Sequence, residues 1–166
     1  NGLENLGGSF PSGRAMAWYD GCLFVGGVFD RAGEQVTNGI ATWNGTLWSA
    51  LGSGVWDVGG DEAGSVLALL EHDGQLFVGG SFDLAGGVPA QNFAKWYPPD
   101  HWLPAGDING GVGCMVEYNG DLIVGGGFDH VAWDDEWIYT GNVAGFAASG
   151  WYPIAGVGSG NVIDLA

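Results

Sequence analysis

Three copies of one pattern lie along the chain: YDGCLFVGGVFDRAG from Tyr19, HDGQLFVGGSFDLAG from His72 and YNGDLIVGGGFDHVA from Tyr118. Their glycine doublets, Gly26-Gly27, Gly79-Gly80 and Gly125-Gly126, are spaced 53 and 46 residues apart. A period near 50 that drifts by several residues predicts a repeated supersecondary unit joined by variable loops. The 34 glycines follow no three-residue period and are interleaved with nine Trp, five Tyr and eight Phe. Collagen and flexible linker are both excluded.

Each unit reads as four short strands. AMAWY, VLALLEH and CMVEY precede Asp20-Gly21, Asp73-Gly74 and Asn119-Gly120, pairs that supply the positive φ angles of a two-residue hairpin. The apolar run LFVGG or LIVGG after the turn suits a buried strand better than a helix. A polar, glycine-containing loop follows. Third strands are expected in GIATW, NFAKW and NVAGFA, and fourth strands in LWSALGSGV, HWLPAGDI and GWYPIAGV. Asn44-Gly45 reads as a further hairpin turn. The fold class is therefore all-β, with four-stranded blades of β-propeller type. The glycine doublets are expected where backbone or aromatic rings approach closely, and Trp43, Trp48, Trp96, Trp102 and Trp151 are expected to fill the wedge between blades.

The succession of apolar strand, VGG, spacer and ATWNGTLWSALGSGV resembles kelch and galactose-oxidase-like propeller repeats. LFVGGSFDLAGGVPAQNFAKW is also similar to the repeats of large secreted bacterial proteins. The resemblance covers nearly the whole chain and implies fold more than function, because such repeats occur in adhesins, stalks and enzymes. In the third unit DHVAWDDEWIYTGN replaces the small-residue loop.

The boundaries that follow are three complete blades at 14–64, 65–110 and 111–160 and a split fourth, with its terminal strand at 1–13 and its first strand at 161–166. In this register Leu3–Phe10 matches Trp48–Val55, and Gly160–Ala166 matches Gly64–Leu70. Three wedge-shaped sheets do not close a ring, and open edges attract partners. Either further blades of a longer chain or copies of this one, in a ring or a filament, are expected to complete it. Leu3, Leu6, Phe10, Val162, Ile163 and Leu165 are the expected assembly edges.

The formal charge of −16, with only Arg14, Arg31 and Lys95 as basic residues, argues against nucleic acid as a partner. No apolar run is long enough for a membrane-spanning helix. Richness in Trp, Gly, Asn and Asp with one Lys points to the cell surface or exterior, where Asn44 in Asn44-Gly45-Thr46 is a candidate glycan attachment site. Cys22 and Cys114 make no disulfide framework.

No catalytic residue and no cofactor is expected. Glu71 and Glu117, at equivalent strand ends, are the one pair that a propeller hydrolase would use. His72, His101 and His130 show no triad spacing. Asp129, Asp134 and Asp135 are the candidate metal ligands, and their hard oxygens would suit calcium. Trp56, Trp133 and Trp137 fall outside the repeat pattern and are the candidate stacking residues for a carbohydrate. The expected function is a non-enzymatic extracellular structural or interaction module, with glycan binding as the alternative and hydrolysis third.

Overall fold

Among the described residues each unit holds seven strands, the four expected and three short ones besides. The computed structural model describes residues 2–4, 11–57, 63–133, 136–154, 160, 162 and 164. In the first unit these are β1 (Leu3–Glu4), β2 (Ser12–Tyr19), β3 (Cys22–Val28), β4 (Arg31–Ala32), β5 (Gln35–Val36), β6 (Ile40–Trp43) and β7 (Trp48–Ala50). The second unit has β8 (Val55–Trp56), β9 (Ser65–His72), β10 (Gln75–Ser81), β11 (Leu84–Ala85), β12 (Val88–Pro89), β13 (Phe93–Tyr97) and β14 (His101–Pro104). The third has β15 (Asp107–Ile108), β16 (Val112–Tyr118), β17 (Asp121–Gly126), β18 (His130–Trp133), β19 (Glu136–Tyr139), β20 (Val143–Ala147) and β21 (Gly150–Pro153).

The expected four strands form an antiparallel sheet in each unit, in the orders β2-β3-β6-β7, β9-β10-β13-β14 and β16-β17-β20-β21. The loop expected after the glycine doublet folds instead as a short hairpin. It pairs with the strand that enters the unit, giving the three-stranded sheets β1-β4-β5, β8-β11-β12 and β15-β18-β19. Sequence periodicity cannot show two-residue strands, because alternation needs about four residues to be visible. No sheet closes on itself among the described residues, and none of them is helical. No helix there is long and apolar enough to cross a membrane.

Both residues of each predicted turn dipeptide have positive φ: Asp20 at 47° and Gly21 at 74°, Asp73 at 50° and Gly74 at 72°, Asn119 at 53° and Gly120 at 88°. Each connects directly opposed partners, such as His72 and Gln75, as a two-residue hairpin must. Asn44-Gly45 departs from this: Trp43 pairs with Trp48 across four loop residues. There the Asn44 Oδ1 accepts from the Thr46 and Leu47 amides at 3.0 and 2.9 Å.

Apolar runs fill both faces of the middle sheet. Leu76 and Val78 join Phe24 and Ile40 of the first unit, whereas Phe77 joins Leu122, Val124 and Phe128 of the third. Each such side chain contributes roughly 1.5–3 kcal/mol by leaving water. The first glycine of each doublet is a notch for a valine from further along the chain. Val66 sits against Gly26, Val112 against Gly79 and Val162 against Gly125. The second glycine faces a backbone carbonyl at the bulge in its own unit's first strand, Ser12 for Gly27 and Ser65 for Gly80. The expected close approach of backbone is found at the second glycine of each doublet, which meets a carbonyl, whereas the first meets a valine and not an aromatic ring.

The wedge tryptophans pair across strands three and four. Ring centroids lie 5.2 Å apart for Trp43 and Trp48, 5.3 Å for Trp96 and Trp102, and 4.8 Å for Phe146 and Trp151. Trp102 reaches the preceding unit, where its indole N–H donates to the Leu51 carbonyl at 3.0 Å. Tyr19 and His72, equivalent residues at the ends of first strands, also cross between units. The Tyr19 hydroxyl donates to the Gly74 carbonyl at 3.0 Å, and His72 Nδ1 lies 3.2 Å from Glu117 Oε2.

Leu3 does not take the fourth-strand place of Trp48. It pairs with Ala32 as Val55 pairs with Ala85, so β1 is the entering strand of the first unit. The reason is the hairpin β4-β5, which offers an edge that only the expected loop would have lacked. Leu6, Phe10, Ile163 and Leu165 lie outside the described residues.

Candidate functional site

The sequence-named residues do not converge on one site. Trp56 is partly buried in β8, where its indole N–H donates to the Ser53 carbonyl at 2.8 Å. Trp133 and Trp137 are 40% and 51% exposed on the long third hairpin. They are not opposed there: Trp133 pairs with Glu136 and Trp137 with Ala132. Leu3 packs against the core of the first sheet and Val162 fills the Gly125 notch, so both described assembly-edge residues are engaged within the chain. Asn44 is exposed, as an attachment site requires.

Asp134 and Asp135 lie outside the described residues. Among those described, no three His, Cys, Asp or Glu side chains converge as metal ligands would. Asp129 is held by its neighbours instead. Its Oδ1 lies 2.6 Å from His130 Nδ1 and accepts from Asn109 Nδ2 at 2.7 Å. The hydrogen bonds from His130 and then Asn109 hold its carboxyl below the ordinary value of 3.8. A depressed folded-state pKa stabilises above the unfolded value, and that contribution is lost as pH falls through the folded one. Asp129→Asn should therefore slightly flatten the fall in stability below about pH 4, measured by urea unfolding at stepped pH. An unchanged acid limb would contradict this.

Glu71 and Glu117 are used locally. Glu71 Oε1 accepts from the Gly74 amide at 2.8 Å, closing its own turn, and Glu117 meets the buried His72. Burial raises the pKa of the half-buried Cys114 thiol, and Asp164 adds to the shift. Cys22 and Cys114 are both free thiols.

Two equivalent grooves run between successive four-stranded sheets. The first, about 280 Å³, lies between the first and second units and is lined by Cys22, Phe24, Thr42 and Trp96. The second, about 300 Å³, lies between the second and third and is lined at matching positions by Gln75, Phe77, Lys95 and Phe146. Asp121 and Trp133 also line it. The Tyr152 hydroxyl donates to Asp121 Oδ2 at 2.7 Å, and that bond raises the phenol's pKa. At the third equivalent position Gly145 replaces Lys95, and the Tyr152 ring lies where a Cβ would be.

Sequence reading found Trp133 but missed Gln75, Lys95 and Asp121. A signal was there: Lys95 is the only lysine, and it stands where the other units have Thr42 and Gly145. No protein-family model matches the chain, and no curated protein matches it.

Proposed function

We propose that the chain is a non-enzymatic extracellular interaction module, built of β-propeller blades of the kelch-like kind and assembling with copies of itself. The observation that carries this reading is the open face of the first four-stranded sheet. Met16 and Trp18 are 71% and 70% exposed there. Their counterparts by hairpin register are Leu69 and Glu71, then Met115 and Glu117. Leu69 and Met115 are partly buried, beside the notches at Gly26 and Gly79 of the preceding sheet. The same position in the first unit thus presents an apolar face with no preceding sheet among the described residues. A second copy is the natural cover, because exposed apolar patches of this kind mark association surfaces.

The contact would differ from the internal ones. Gly13 stands where Val66 and Val112 supply the valine knob, and the Gly125 notch already holds Val162. The exposed Asn44 sequon and the scarcity of lysine support the extracellular placement. Trp18→Glu tests the reading, since glutamate is what the repeat carries at the two equivalent positions. The variant should keep the wild-type circular dichroism spectrum and fall in light scattering to a 17.2 kDa particle. A variant that assembles like the wild type would refute assembly through this face.

A further inference from the structure

We propose that the groove between the second and third four-stranded sheets binds a neutral saccharide, with Trp133 as the stacking platform. This goes beyond self-assembly and uses a surface on different units. The groove holds two kinds of surface that a pyranose needs. Its aromatic wall is continuous: Phe77 and Phe146 lie 6.0 Å apart between ring centroids, and Phe146 and Trp133 5.4 Å. Of these rings Trp133 is the one that is substantially exposed, at 40%. Packing on Phe146 and over Gly150 fixes its orientation, so little rotamer freedom is lost on binding. The negative face of an indole attracts the slightly positive axial C–H groups of a sugar ring.

Hydroxyl-binding groups surround that wall. Gln75 supplies an amide, Lys95 an amine, and Asp73 and Asp121 carboxylates. The Tyr152 hydroxyl anchors Asp121, and no carboxylate pairs with Lys95 among the described residues. Donors and acceptors at the rim of an aromatic cleft are the pattern of a site that orients a polyol. With two carboxylates against one amine, the groove disfavours an acidic sugar.

The first groove is a built-in comparison. It has the same position and nearly the same volume, but Cys22 replaces Gln75 and Thr42 replaces Lys95. The Thr42 hydroxyl is directed to the Ser49 carbonyl at 3.4 Å. The hairpin of the second unit has strands of two residues each, whereas that of the third has four each and carries Trp133 to the groove. The elongation of one hairpin and the appearance of the lysine therefore coincide at one groove.

The experiment applies the intact chain to an array of neutral hexopyranose oligosaccharides and their uronate counterparts, followed by titration calorimetry on any sugar retained. Retention of neutral sugars is expected, weakened about tenfold or more by Trp133→Ala. Lys95→Thr, which installs the residue of the first groove and should fold normally, is expected to weaken it as well. A cooperative urea transition with the wild-type m-value would show that both variants are folded. Retention of no neutral sugar, retention of uronates alone, or binding indifferent to both substitutions would overturn the proposal.

Discussion

Gly79→Ala should destabilise the chain by about 1–3 kcal/mol, and Val112→Ala in the same molecule should recover part of that loss. A Cβ at Gly79 would lie 2.5 Å from Val112 Cγ1 and 2.9 Å from Val112 Cβ, so the side chain of the next unit must move or shrink. The double variant should be more stable than the sum of the two single effects by roughly 0.5–3 kcal/mol. Gly80→Ala should behave differently. Its Cβ would meet the Ser65 carbonyl, which no side-chain truncation removes, so Val112→Ala should give no rescue. Urea midpoints at constant m-value measure all of these. Simple additivity for the Gly79 pair would mean that the valine–glycine interlock does not join the units.

Trp102→Ala should cost about 3–5 kcal/mol, as expected for removing a large buried aromatic. The indole is 6% exposed, pairs with Trp96, packs on Gly86 and donates to Leu51 of the preceding unit. Trp102→Phe keeps most of the ring contact but leaves the Leu51 carbonyl without that donor, at a cost of roughly 1–3 kcal/mol. Trp48, its counterpart in the first unit, is only partly buried and should be less costly to truncate. Comparing the three variants by urea unfolding separates ring packing from the hydrogen bond. Equal losses for Trp102→Ala and Trp48→Ala would contradict a role for Trp102 in holding successive units together.

The long antiparallel sheets were legible because each rests on strong local signals. Asp-Gly and Asn-Gly pairs fixed three hairpins, and the LFV and LIV runs marked strands buried on both faces. The small sheets of the first two units were not legible, since β4, β5, β11 and β12 are two residues each and their edges exist only after the chain has folded back. The same limit misplaced Leu3, whose likeness to Trp48 in a sequence register was outweighed by pairing with Ala32. The groove was half legible. Trp133 stood out because it breaks the repeat, whereas Gln75, Lys95 and Asp121 become neighbours only when the second and third sheets pack.

The reading of the chain as a self-associating module rests on one exposed face, at Met16 and Trp18. The measurement that bears on it most directly is the native mass of the unmodified protein, by light scattering over a hundredfold range of concentration. The account requires a particle that is a multiple of 17.2 kDa at the upper end. A 17.2 kDa particle at every concentration would contradict it.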